Sequence, residues 1–122
     1  MKKYKSKWFQ KWANKNSLSD AALIRSIQDL KENKSAVKLG FNLYKVRVAS
    51  HGKGKRGAFR TIVIYISSIR AIYVFGFSKN ELDNISKKEL EDFKNLARTY
   101  TDMDETDIEK LLNQNAIFEL EE

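Results

Sequence analysis

Two apolar runs, Phe59 to Ile66 and Ile69 to Phe77, are separated by only Ser67 and Ser68. Both are rich in Ile, Val, Tyr and Phe, which suit a pleated and packed surface, and so short a connection returns the chain beside itself. The pair predicts an antiparallel hairpin. From Leu43 to Ala49 the chain alternates, with Tyr44, Val46 and Val48 on one face and Lys45 and Arg47 on the other, as a half-buried strand does. A three-strand antiparallel meander is the economical arrangement, and simple alternation places Tyr73, Phe75 and Phe77 together on one of its faces. Between the first two of these strands lies Ser50-His51-Gly52-Lys53-Gly54-Lys55-Arg56-Gly57, whose three glycines mark a connection outside helix or regular strand.

Helical patterns flank this sheet. Trp8, Phe9, Trp12 and Ala13 form a short amphipathic helix, preceded by a brief strand at Lys3 to Ser6. Leu23, Ile27 and Leu30 make a second stripe, with Ser17 or Ser19 as the cap, Asp20 placed for the helix dipole and an end near Asn33. Ser86 and Glu89 spell a capping box, Ile85 can staple onto Leu90, and Leu90, Phe93, Leu96, Ala97 and Tyr100 continue the apolar stripe of a helix lying against the sheet. Ile108, Leu111 and Leu112 give a shorter helix an apolar edge, and Ala116 to Leu120 reads as a final strand, with a loose tail as the alternative. The expected class is α+β: a small antiparallel sheet flanked by N-terminal helices and a C-terminal helix.

The length of 122 residues suits one domain, 1–122, with 101–122 as its short helix and acidic tail. The chain has no cysteine, which removes disulfides, thiolate metal sites and cysteine catalysis and is compatible with a reducing cytoplasm. The basic start, MKKYKSKWFQKW, lacks the apolar region a signal peptide needs, and the longest apolar stretch is interrupted by Ser67, Ser68 and Arg70. A soluble, cytoplasmic protein without a membrane partner is expected.

Charge divides the chain. Residues 1–60 hold 16 Lys and Arg against 3 Asp and Glu, whereas residues 61–122 hold 7 against 13. From Asn33 through Asn80 no acidic residue occurs, while Lys34, Lys38, Lys45, Arg47, Lys53, Lys55, Arg56, Arg60, Arg70 and Lys79 all do. A field of one sign attracts phosphates, so nucleic acid or an acidic protein is the expected partner. The segment from Lys45 to Arg60 is not a Walker phosphate loop, because the G-x-x-x-x-G-K-[ST] order is missing and the loop feeds a strand rather than a helix. The acidic residues Asp102 to Asp107 and Glu119 to Glu122 read as a solvated helix face and tail; the alternative is that they fold back toward the basic cleft.

Several motifs, taken jointly, carry a family resemblance over roughly residues 8–100. They are Leu39-Gly40, Leu43-x-Lys45-x-Arg47-x-Ala49, Gly52-Lys53-Gly54-Lys55-x-Gly57-x-Phe59-Arg60-Thr61, and Tyr73-x-Phe75-Gly76-Phe77-x-Lys79-Asn80-Glu81-x-Asp83-Asn84-Ile85, followed by the Glu89-Leu90 helix. The chain resembles the RelE/HigB branch of the RelE/ParE toxins of bacterial toxin–antitoxin systems. Two positions depart from that pattern: Ala58 stands where the family usually has a second glycine, and Arg56 where serine is common.

The resemblance implies a compact α+β fold and an endoribonuclease that cleaves messenger RNA on the ribosome until a cognate antitoxin, of helix-turn-helix type, binds it. A ParE-like noncatalytic inhibitor of DNA gyrase and an inactive nucleic-acid-binding module are the alternatives on the same scaffold. RNA supplies its own nucleophile, the ribose 2′-OH, so such cleavage requires neither metal nor cofactor. The enzyme must accept one proton, donate another and stabilise charge on phosphorus. Clustered cations lower lysine pKa values, which makes Lys55 or Lys53 a candidate general base. Arg47 and Arg60 suit a clamp on the scissile phosphate, and Lys79 ends the following strand within reach of the same surface. His51, with an ordinary pKa near 6.5, is a candidate proton donor or RNA contact, beside Lys45 and Arg56. Tyr44, Tyr73 and Phe75 are candidates to stack on an unpaired base, although packing within the core is the commoner role of strand aromatics.

Overall fold

The computed structural model describes residues 1–49, 59–78 and 84–121. In chain order the elements are β1 (Lys2–Ser6), α1 (Lys7–Lys15), α2 (Asp20–Lys31), β2 (Ala36–Gly40), β3 (Leu43–Val48), β4 (Phe59–Ile66), β5 (Arg70–Ser78), α3 (Lys87–Asp102), α4 (Glu105–Asn113) and β6 (Ile117–Glu119). The fold is α+β, with one six-stranded mixed sheet ordered β2-β3-β4-β5-β1-β6. The antiparallel meander β3-β4-β5 is its centre. β2 extends it antiparallel on one side, and β1 joins β5 in parallel on the other, with β6 antiparallel to β1 at the far edge.

Local chemistry explains the boundaries. The β4–β5 turn forms with Ser68 in the left-handed region, φ 66°, and Ile69 N–H donating to the Ile66 carbonyl at 3.0 Å. Ser19, not Ser17, caps α2, accepting from Ala22 N–H at 3.2 Å. Ser86 and Glu89 close the expected capping box on α3, and Asp104 with Asp107 closes a second on α4.

Each sheet face buries its own core. Residues of α1 and α2, including Phe9, Trp12, Leu23 and Ile27, pack on Val46, Val48, Phe59, Val63 and Tyr73. On the opposite face Ala97 and Tyr100 of α3 and Ile108 of α4 pack on Leu43, Ile62, Ile64, Ile72 and Phe77. Among the described residues no buried side-chain nitrogen or oxygen lacks a hydrogen-bond partner.

One strand departs from simple alternation. Ile62 pairs with Phe75 and Val63 with Tyr73, which leaves Val74 as an extra residue in β5. The bulge separates the three aromatics expected to share a face. Tyr73 is fully buried beneath α1 and α2, its hydroxyl donating to the Leu23 carbonyl at 2.8 Å and contacting the Ser26 hydroxyl. Phe75 and Phe77 belong to the α3 face, with Phe75 and Phe93 centroids 5.4 Å apart. Gly76 lies under Trp12, where a Cβ would meet the indole ring at 2.4 Å.

Candidate functional site

The pleat of β3 puts Lys45 and Arg47 on the face opposite Val46 and Val48, as the alternation predicts. On β4, Phe59 belongs to the α1–α2 core and Ile62 to the α3 core, which places Arg60 on the α3 face. The register then brings two cations together: Arg47 is the direct partner of Arg60, and Arg60 is in turn the partner of Phe77 on β5. The adjacent row runs Val37, Lys45, Ile62 and Phe75 across four strands. Three cations thus stand at the β3–β4 end of a surface whose β5 side is aromatic.

Directly opposed side chains hold their Cβ atoms roughly 4.5–5.5 Å apart, and like charges there are destabilising. Two unit charges at about 6 Å repel by roughly 0.7 kcal/mol in water and by about 3 kcal/mol at the effective dielectric near a protein surface. Yet among the described residues no carboxylate pairs with Lys45, Arg47 or Arg60. Arg47 is exposed and Arg60 half-buried, so both guanidinium groups can reach an anion above the sheet. Two planar forks side by side fit the oxygens of one phosphate or of neighbouring phosphates.

Other expected participants separate from this pair. Tyr44 stands on the opposite face of β3, edge-on to Tyr65 with centroids 5.9 Å apart, so the structure does not bring it to the arginines. Tyr73 is core, in keeping with the commoner role of a strand aromatic. Lys53, Lys55, Arg56, His51 and Lys79 lie outside the described residues, although β3 and β5 end at Val48 and Ser78 and β4 begins at Phe59, all at the end of the sheet where Arg47 and Arg60 stand.

Arg70 leaves the basic field altogether. It is buried, with Nη1 donating to the Tyr100 and Met103 carbonyls at 3.1 Å each and Nη2 3.4 Å from Glu105. Its work is to satisfy the C-terminal carbonyls of α3. Glu119 also stands away from the arginines, because its strand, β6, occupies the edge opposite β2.

Sequence reasoning missed two further cations beside the sheet, Arg25 next to Arg47 and Lys94 toward the other end of β3. Lys94 of α3 lies over Gly40, its Cε 2.8 Å from where a Cβ would be, and Arg25 of α2 borders a small recess with Asp29 and Arg47. Neither has a local motif; α3 and α2 bring them there by packing. Among the described residues no helix is long and apolar enough to cross a membrane.

A family model described as the RelE toxin of the RelE / RelB toxin–antitoxin system matches residues 1–120. The match includes the N-terminal strand and the acidic C-terminal part, beyond the 8–100 that the motifs spanned. No curated protein matches the chain.

Proposed function

Because this chain belongs to the RelE toxin family of toxin–antitoxin systems, we propose that it is a ribosome-dependent endoribonuclease of the cytoplasm, cutting messenger RNA until an antitoxin of helix-turn-helix type binds it. The observation that carries this reading is the in-register pair Arg47 and Arg60, exposed enough to reach an anion and without a carboxylate partner among the described residues.

The chemistry is transesterification within the RNA. The ribose 2′-oxygen loses its proton to a general base and bonds to the adjacent phosphorus; the bond from phosphorus to the 5′-oxygen breaks, and a general acid protonates that oxygen. The products are a 2′,3′-cyclic phosphate and a free 5′-hydroxyl. Arg47 and Arg60 hold the nonbridging oxygens and stabilise the added charge at phosphorus, where preorganised donors contribute most. Lys55 or Lys53 serves as base, and Lys79 or His51 supports charge and proton delivery. Lys45 and Arg56 hold flanking phosphates.

Primer extension on a defined message carried by purified ribosomes tests this, with wild-type protein, Lys55→Ala and Arg60→Ala in parallel and naked RNA as control. Cuts at the A-site codon that require the ribosome and vanish in both variants are expected. Folded wild-type protein that cuts nothing overturns the reading and directs attention to a gyrase supercoiling assay.

A further inference from the structure

The first acidic residue of the chain is Asp20, and six lysines precede it. Lys5 is buried against Asp20 at 2.7 Å, and Lys2 pairs with Glu119 at 3.3 Å. Lys7, Lys11 and Lys15 differ: all three are exposed on α1, and none has an ion-pair partner among the described residues.

Their spacing of four residues aligns them along one side of the helix, about 6 Å apart along its axis. At about 100° per residue Trp8 borders this line, between the lysines and the buried face of Phe9, Trp12 and Ala13. Helix stability accounts for Lys15, which lies in the last turn and complements the dipole, but not for the whole line. Lys7 opens α1, whose first turn has no acidic residue, and a cation there opposes the helix dipole.

Trp8 is 46% exposed, an unusual state for so large an apolar side chain. It is nonetheless held in place, stacked on Phe75 with centroids 4.7 Å apart and planes inclined by 24°. Phe75 in turn lies 6.1 Å from Phe77, the cross-strand partner of Arg60. A chain of ring contacts, ending in the buried Phe77, therefore leads from the lysine line on α1 to the strand position opposite Arg60.

We propose that Lys7, Lys11, Lys15 and Trp8 form a second RNA-binding surface, in which the lysines follow successive phosphates of a single strand and the Trp8 indole stacks on an unpaired base. A line of cations matches a line of anions, and a pinned aromatic face beside it matches a base, the pairing by which single strands are held without sequence preference. The proposal rests on the reading of the sheet as an RNA site, since the ring contacts from Trp8 through Phe75 tie this helix to the strand that carries Phe77 opposite Arg60. An acidic protein at the same surface is the competing occupant.

The test uses the full chain and a labelled, unstructured single-stranded RNA of about twelve nucleotides. Binding is followed by anisotropy over a range of salt and by tryptophan emission. Trp8→Ala is expected to weaken binding roughly 5- to 150-fold, the range for loss of one stacked base. Lys7→Gln, Lys11→Gln and Lys15→Gln together should lower the slope of log affinity against log salt by about 2, at about 0.7 per phosphate contact. RNA should quench wild-type emission but leave Trp8→Phe, which retains only the buried Trp12, unquenched; thermal unfolding checks that each variant folds.

Unchanged affinity and salt slope in these variants, with binding lost in an Arg47→Ala and Arg60→Ala double variant, overturns this inference and leaves the sheet reading standing. The same holds if the α1 variants lose only an acidic protein partner. Absence of binding by wild-type protein at low salt also overturns it, whatever the ribosome assay shows. Loss of binding in the α1 variants of a protein that fails to cut on ribosomes upholds the surface while the proposed activity falls.

Discussion

Arg47 and Arg60 face one another across β3 and β4 as direct register partners, on the side of the sheet that carries α3. Opposed like charges oppose folding, so a pair kept for an anion should be dispensable for stability. Arg60→Ala is expected to lower ribosome-dependent cleavage by about 10²–10³-fold, the scale for losing one preorganised donor. Urea denaturation of the same variant should show stability unchanged or raised by up to about 1 kcal/mol. A marked loss of stability would instead make Arg60 structural.

Gly76 sits in the family-like Phe75-Gly76-Phe77 motif for a reason of packing. The Trp12 ring lies on the β5 backbone there, and a Cβ would approach three of its carbons at 2.4–2.7 Å. A rigid indole 9% exposed and flanked by Phe9 and Phe59 has little room to yield. Gly76→Ala should destabilise by about 1–3 kcal/mol, as overpacked cores do. Combining it with Trp12→Leu should cost less than the sum of the two single changes, a coupling that a double-mutant cycle measures.

The elements written most plainly in the sequence were those with local signals. The β4–β5 hairpin, the Ser86–Glu89 capping box and the alternation of β3 depend on residues within a few positions of one another. β2 escaped because Val37 and Lys38 are both exposed and its pairing with β3 contains an irregularity, so no alternation marks it. The parallel pairing of β1 with β5 joins residues 68 positions apart in sequence and leaves no local pattern. The Val74 bulge reversed the face of Tyr73 because one extra residue changes every later parity. At the site, alternation disclosed the face of Lys45 and Arg47, but only the register disclosed that Arg60 stands opposite Arg47. Arg70 looked like a member of the basic field until its partners, distant in sequence, came into place.

Arg70 yields a prediction opposite to that for Arg60. Its guanidinium satisfies two carbonyls at the end of α3 from a buried position, whereas Glu105, the third partner, is largely exposed. Arg70→Ala should cost about 2–4 kcal/mol, chiefly through the Met103 carbonyl it leaves unpaired and the donor lost from the Tyr100 carbonyl, which keeps the Met103 N–H. The salt dependence of RNA binding, measured on the fraction that remains folded, should not change, because Arg70 contributes no phosphate contact.

Three buried phenols set the alkaline limit of the fold. Burial raises the pKa of Tyr73, Tyr4 and Tyr100 above the ordinary tyrosine value; Glu105 and Glu119 add to the effect at Tyr4, and the Ser26 hydrogen bond only partly offsets it at Tyr73. A raised folded-state pKa means that the unfolded chain releases these protons first. The associated stability is complete below about pH 10 and declines as pH rises toward the folded-state values. Urea midpoints should therefore be independent of these groups near neutrality and fall above about pH 10. Tyr73→Phe should flatten that fall without abolishing it, because Tyr4 and Tyr100 remain, and it should carry a fixed penalty at every pH from the lost hydrogen bond to the Leu23 carbonyl. Phenolate absorbance followed on the folded protein supplies an independent reading: ionisation of these three of the chain's five tyrosines should be delayed until the fold itself opens.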